Sequence, residues 1–159
     1  MVERTLVLIK PDGVQRGIVG DCLSRFERAG LKIVGLKMVW ISREQARQHY
    51  KAHIGKPFYD PLEAFITSGP VVALALEGVD AIENVRKLVG ATEPKAAAPG
   101  TIRGDLAHVS AAWASAHKKS VFNVVHASSS KEEAKAELEL WFKPEELHSY
   151  RKPLDEFLQ

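Results

Sequence analysis

Residues 70–78, PVVALALEG, hold six consecutive apolar side chains between a Gly-Pro step and a glycine. A run this short and this continuous, bounded by chain-breaking residues, is a buried strand. It is far too short to cross a membrane. A buried strand needs other strands beside it and helices over it, so the flanking sequence has to supply them.

It does so on both sides. RTLVLI (4–9) is a short β-rich run that ends at Lys10-Pro11-Asp12-Gly13, which carries turn chemistry. GDCLSRFERAG (20–30) has apolar residues at helical spacing and closes on Gly30. LKIVGLKMVW (31–40) reads as a second strand. Ser42 with Gln45 resembles a capping box and opens a helix over 43–53; a further short helix is expected over 59–69. VDAIENVRKLVG (79–90) is helical, with Ile82, Val85, Leu88 and Val89 on one face. A long Pro/Gly/Ala-rich loop spans 91–105, and one or two short helices are expected over 105–120. VFNVVH (121–126) is the fourth strand, KEEAKAELELWF the last long helix, and the tail is mixed. The order β-α-β-(αα)-β-α-β-α predicts an α+β fold. Its core is a ferredoxin-like βαββαβ unit with a four-stranded antiparallel sheet, with a helical hairpin between strands two and three and a C-terminal extension. One domain over residues 1–159 is expected.

The net charge of +2 argues for neither nucleic acid nor membrane. Its distribution is uneven: residues 1–60 hold 11 Lys/Arg against 6 Asp/Glu, and residues 61–159 hold 11 against 14. A basic N-terminal part suits an anionic ligand, and a solvated surface accounts for it equally well. The single cysteine, Cys22, allows no internal disulfide; it lies in a helical pattern as a small core residue. The apolar run LVLI near the N-terminus is too short for a leader segment, so a cytoplasmic protein is expected.

The sequence lacks the Gly-rich phosphate loops, HExxH and CxxC. His49 and His53 stand four residues apart and could share a helix face for a metal, with no third ligand in view. His126 is better placed. It ends a strand just ahead of a helix whose start carries Ser128, Ser129 and Ser130, with Ser130 and Glu133 at capping-box spacing. Free backbone N–H groups at that helix start favour an anion, and a neutral imidazole beside them can act as nucleophile or base. Lys10, Arg86 and Arg103 end separate elements and could converge on a phosphate chain. Taken singly, each is an ordinary surface cation. Together these residues point to a phosphate-handling histidine.

Several segments together resemble the nucleoside diphosphate kinase family. They are ERTLVLIKPDGVQRGIVG, SGPVVALALEG, GATEPKAAAPGTIRGD, NVVHAS and LWFKPEEL, in family order and spread over nearly the whole chain. The resemblance implies a ping-pong exchange. The γ-phosphoryl group of a nucleoside triphosphate moves to His126 and then to a nucleoside diphosphate. Lys10 matches the lysine that stabilises the moving phosphoryl group, and Tyr50 the tyrosine beside the histidine. Asn123 matches an asparagine that contacts the sugar. Arg86, Thr92 and Arg103 match the phosphate-holding residues. Phe58 matches the aromatic on which the base stacks, with Leu62 lining the same cleft. Glu137 matches the glutamate bonded to the histidine's other nitrogen, and Ser128 the serine bonded to that glutamate. The family further implies Mg²⁺ arriving with the nucleotide, broad base and sugar tolerance, and a homo-oligomer, most often a hexamer. A nucleic-acid-binding role is disfavoured, because no strand carries a run of stacking aromatics.

Two departures from the family pattern stand out. Ser129 replaces an aspartate that the family often uses near the metal. The stretch from Asp105 to Asn123 is longer than the pattern by roughly two helical turns.

Overall fold

The computed structural model describes residues 1–157. Strands β1 (Val2–Ile9), β2 (Lys32–Val39), β3 (Val71–Val79) and β4 (Val125–Ala127) form one antiparallel sheet in the order β2-β3-β1-β4. Among the described residues, eight α-helices accompany it: α1 (Pro11–Gln15), α2 (Val19–Arg28), α3 (Arg43–His49), α4 (Tyr59–Ile66), α5 (Ala81–Val89), α6 (Ile102–Leu106), α7 (Ala111–Ala116) and α8 (Lys131–Trp141).

The apolar run 71–76 is the reason the fold has two layers of helix. Its alternate residues feed two separate cores. Val72, Leu74 and Leu76 join Val7 and Ile9 of β1 under Cys22 and Phe26 of α2 and Val85 and Val89 of α5. Val71, Ala73 and Ala75 join Leu6 and Leu8 under Ala46 and Tyr50 of the α3 segment, Leu62 and Ile66 of α4, and Trp141 at the end of α8. Side chains alternate across a strand, so a run apolar at every position has both faces covered. Removing those faces from water is the main stabilising term of the fold.

Local signals set the element ends. Ser42 and Gln45 make a full capping box at the start of α3. Ser130 caps α8 by accepting from the Glu133 N–H. The expected reciprocal bond is replaced: the Glu133 carboxylate reaches instead to the Ser129 N–H and hydroxyl.

Several expected boundaries are corrected. Pro11-Asp12-Gly13 opens helix α1 rather than a turn, because Pro at the first helical position loses no hydrogen bond there. The helix expected over 43–53 stops at His49 and continues as a 3₁₀ turn over Lys51–His53. Arg103, expected in a loop, lies in α6. That helix is capped by the Thr101 hydroxyl, and a Cβ on Gly104 would collide with the Ala98 carbonyl. The fourth strand is cut to three residues by a γ-turn: the Val125 N–H donates to the Asn123 carbonyl at 2.7 Å, with Val124 at φ +69°. The elongated 105–123 stretch carries α7. Among the described residues, no helix is long and apolar enough to cross a membrane.

Candidate active site

Register aims the histidine. His126 pairs with Leu8 across β1 and β4, so its side chain joins the Leu8 face, between α3 and α8. Its neighbours Val125 and Ala127 point into the opposite core. The γ-turn at Val124 starts β4 at this register. It is held from two sides: Asp12 accepts the Val124 N–H at 3.0 Å, and the Lys10 N–H donates to the Val124 carbonyl at 2.8 Å. A β-branched residue at positive φ is strained, and strain of this kind persists only where its surroundings over-determine it.

The His126 ring is fixed by α8. Nε2 lies 2.9 and 3.0 Å from the two Glu137 carboxylate oxygens, so Nε2 carries the hydrogen and donates. The Ser128 hydroxyl donates to the same carboxylate at 2.6 Å. Nδ1 is left as the lone-pair nitrogen. Burial, and then the Lys10 charge, pull the His126 pKa down to about 3, so the ring is neutral at ordinary pH. Its side chain keeps 18% of its surface exposed, through the cleft. Burial pushes the Glu137 carboxyl up, against the opposing pull of His49 and Ser128.

The cleft has a volume of about 950 Å³, a size suited to a small-molecule ligand. Lys10, Tyr50, Phe58, Leu62, Arg86, Thr92, Arg103, His126 and Ser129 all line it. Phe58 stands half exposed at its outer end. Lys10, Arg86 and Arg103 bond neutral groups rather than carboxylates. Lys10 Nζ donates to the Asn123 side-chain oxygen at 2.7 Å. Arg86 donates to the Ala127 carbonyl, and Arg103 to the carbonyls of Gly90, Asn123 and Val125. Their positive charge is therefore left for a ligand. Burial and the nearby Arg103 lower the Lys10 pKa to about 8, and burial with Arg86 lowers Arg103 to about 10. The Tyr50 hydroxyl is buried and has no hydrogen-bond partner among the described residues.

Three of the expected residues stand behind the cleft wall. Ser128 and Glu137 serve the His126 ring. Asn123 is buried and ties Lys10 to the Thr92 carbonyl, donating to the latter at 2.8 Å. The expected anion site at the α8 start is different in kind. Glu133 takes the Ser129 N–H there, and the positive field comes from Lys10, Arg86 and Arg103. His49 and His53 do not share a metal. The change to a 3₁₀ turn sends His53 towards Phe58, with ring centroids 5.3 Å apart, while His49 turns inward to His126 and Glu137.

A sequence model described as nucleoside diphosphate kinase matches residues 3–147. The chain belongs to the nucleoside diphosphate kinase family. As a member it is a phosphotransferase enzyme acting on nucleotides. A nucleoside diphosphate kinase of Pyrococcus furiosus is 54% identical over 98% of this chain and 92% of its own. Among solved structures, a transition-state mimic of the nucleoside diphosphate kinase of Borrelia burgdorferi with bound vanadate and ADP superposes with a TM-score of 0.94. It is 42% identical and covers 97% of this chain and 95% of that one. The halophilic kinase of Halobacterium salinarum, in complex with CDP, has a TM-score of 0.89 and 43% identity, covering 100% of this chain and 99% of that one.

Beyond the residues the motifs identify, the cleft draws on a segment with no motif. Ala111, Ala114 and Ser115 of α7, with Lys118, Lys119, Ser120 and Val121, line it along with Phe58 and Leu62. His49, Trp141 and Asp12 are given no role in this site by the motifs. Their part in the site comes from register and packing.

Proposed function

We propose that this chain, as one domain, moves the γ-phosphoryl group of a nucleoside triphosphate onto His126 and then onto a nucleoside diphosphate. The observation that carries the reading is the oriented ring. With Nε2–H held by Glu137, the Nδ1 lone pair is the nucleophile, and it belongs to a neutral imidazole. Nδ1 attacks the γ-phosphorus. An N–P bond forms as the P–O bond to the β-phosphate breaks, and the nucleoside diphosphate leaves with the bridging oxygen. A second diphosphate then reverses the step, its terminal oxygen displacing Nδ1. Glu137 stabilises the positive charge that develops on the ring, as an oriented carboxylate does in a catalytic triad.

The cations do the work that phosphoryl transfer asks of a protein, which is positioning and charge stabilisation. Lys10 and the unpartnered Tyr50 hydroxyl serve the transferring group. Arg86, Thr92 and Arg103 hold the phosphates. Asn123 positions Lys10 and lies towards the sugar. Phe58 offers a face on which any base stacks, and Leu62 completes that wall. A stacking face reads no base edge, so broad use of purine and pyrimidine nucleotides follows.

Mg²⁺ fits as a passenger on the phosphates rather than in a protein cage. The acidic side chains lining the cleft are Asp60 and Glu133, and Ser129 holds the Glu133 carboxylate at the wall. These are oxygen donors suited to the outer hydration of a hard cation. Bound there, the ion would neutralise phosphate charge. A cytoplasmic homo-oligomer, by family a hexamer, completes the proposal. Its support in this chain is the outer strand β2, which exposes Leu36 and Met38, with exposed Trp40 just beyond it.

The test is direct. Incubation with γ-labelled ATP and Mg²⁺ should leave acid-labile, base-stable label on the chain, discharged by added GDP and lost in His126→Ala. A wild-type chain that binds ATP and takes no label would sink the reading.

A further inference from the structure

His49, at the end of α3, has no part in the mechanism above. Its side chain is wholly buried. Its ring stands edge-on to those of Tyr50, His126 and Trp141, at centroid distances of 4.4, 4.7 and 5.4 Å. The Trp141 indole Nε1–H donates to His49 Nδ1 at 3.1 Å. An indole nitrogen can only donate. His49 Nδ1 therefore holds a lone pair, and the neutral ring carries its hydrogen on Nε2.

That assignment leaves His49 badly served. Nε2 is buried and finds no partner among the described residues. An unmet buried N–H is costly. The ring has a better option close by. Nδ1 lies 3.7 Å from Glu137 Oε1, the oxygen that accepts from His126 Nε2 at 2.9 Å. With its hydrogen on Nδ1, His49 would donate to Glu137 and have no orphaned N–H of its own. What closes this route is the Trp141 N–H, aimed at the same nitrogen.

We propose that Trp141 and His49 form a positioning pair that reserves the Glu137 carboxylate for His126. Trp141 holds the competing imidazole in the one tautomer that cannot donate to Glu137. Neither residue touches substrate; both act through Glu137. The inference rests on the reading of His126 as nucleophile. The titratable groups facing His49 are His126 from β4, Glu137 from α8, Lys10 from the end of β1, and Tyr50 and His53 from its own segment. Burial first, then the His126, Lys10 and His53 charges, lower the His49 pKa to about 3, and Glu137 alone among them draws a proton towards it.

Trp141→Phe deletes the N–H and keeps an aromatic ring. Single-turnover phosphorylation by γ-labelled ATP and Mg²⁺ is then followed between about pH 8 and pH 5.5. The variant should react about tenfold slower at every pH in that range, because neutral His49 can now move its hydrogen to Nδ1 and engage Glu137. Its imidazole ¹⁵N–¹H spectrum should show the Nδ1–H tautomer. The double variant Trp141→Phe/His49→Phe removes donor, acceptor and competitor together, and should recover the wild-type rate. A purely structural Trp141 would leave the His49 tautomer unchanged and make the double variant slower still. An unchanged tautomer or rate in Trp141→Phe, or a double variant that recovers nothing, overturns the proposal.

A second arm needs no variant and no chemistry. Imidazole ¹⁵N–¹H spectra of the wild-type protein should show His49 neutral, with its hydrogen on Nε2, through the same range. An Nδ1–H tautomer, or titration near the ordinary histidine value, overturns the pair. Failure of wild-type labelling would refute the nucleophile instead, and the tautomer result would still judge His49 and Trp141.

Discussion

At the scale of single residues, burial and hydrogen bonding set the two ring nitrogens of His126 apart. Glu137 takes the hydrogen of His126 Nε2, and desolvation keeps the ring from charging. An ordinary histidine loses about nine-tenths of its neutral form one pH unit below 6.5. With the His126 pKa lowered to about 3, first-turnover phosphorylation should instead hold constant from about pH 8 to about pH 5.5. The alkaline side should differ. Lys10, lowered to about 8, loses its charge above that point in the free enzyme, so kcat/KM should fall there. A pH–rate series with quenched-flow sampling checks both limbs; an acid limb near 6.5 would mean that the ring is not desolvated. The residues carrying this chemistry were legible in the sequence as a histidine at a strand end and three cations at element ends. Glu137 and Ser128 were not legible without the family pattern. A helix written KEEAKAELE looks solvated until register brings one of its glutamates under the strand. The pairing of His49 with Trp141 was hidden, since only packing brings them together.

At the scale of elements, local chemistry was read well where it was self-contained. The buried strand 71–79, the Ser42 capping box and helices α2, α4 and α5 lie within a few positions of their expected places. Reading failed where tertiary contacts overrode propensity. VFNVV has strong β propensity, yet only three residues pair, because Asp12 and Lys10 pin Val124 in a conformation its side chain disfavours. The added helix α7 is likewise invisible as part of a site, since Ala, Ser and Lys carry no motif. Its Ser115 is exposed and lines the cleft, as Phe58 does. Ser115→Trp should therefore leave the fold intact and narrow the base end of the cleft. We expect KM to rise about tenfold for every nucleotide alike, with kcat at saturation changed far less, as loss of uniform binding requires. Initial-rate kinetics with ADP, GDP and CDP as acceptors measure it. An unchanged KM would remove α7 from the binding surface.

At the scale of the whole molecule, the sheet order places β1 and β3 at the centre and leaves β2 and β4 as edges. Strand order follows from the ferredoxin-like pattern and was readable in advance. The use made of each edge was not, because it depends on what lies outside the chain. The β2 edge is poorly defended: Leu36 and Met38 lie on the α2/α5 face and are more than half exposed, and Trp40 beyond them is 68% exposed. Open edges with apolar side chains invite pairing with another copy. Trp40→Glu, at a position that contributes little to the internal core, should shift the assembly to smaller species while the fold persists. Light scattering after size exclusion, alongside circular dichroism, reports both. An unaltered mass would assign the contact to another surface.

The clamp on Val124 has a consequence for how this kind of chain can vary. The three residues of β4 are registered by bonds to the exit of β1 and the start of α1, elements fixed more than a hundred positions earlier. Nothing upstream of Asn123 has to be a particular length for His126 to arrive in place. The segment from Ala107 to Phe122 is thus free to lengthen or be exchanged over evolutionary time while His126 stays put. The same freedom makes it a natural point at which to graft foreign sequence into the wall of a working cleft.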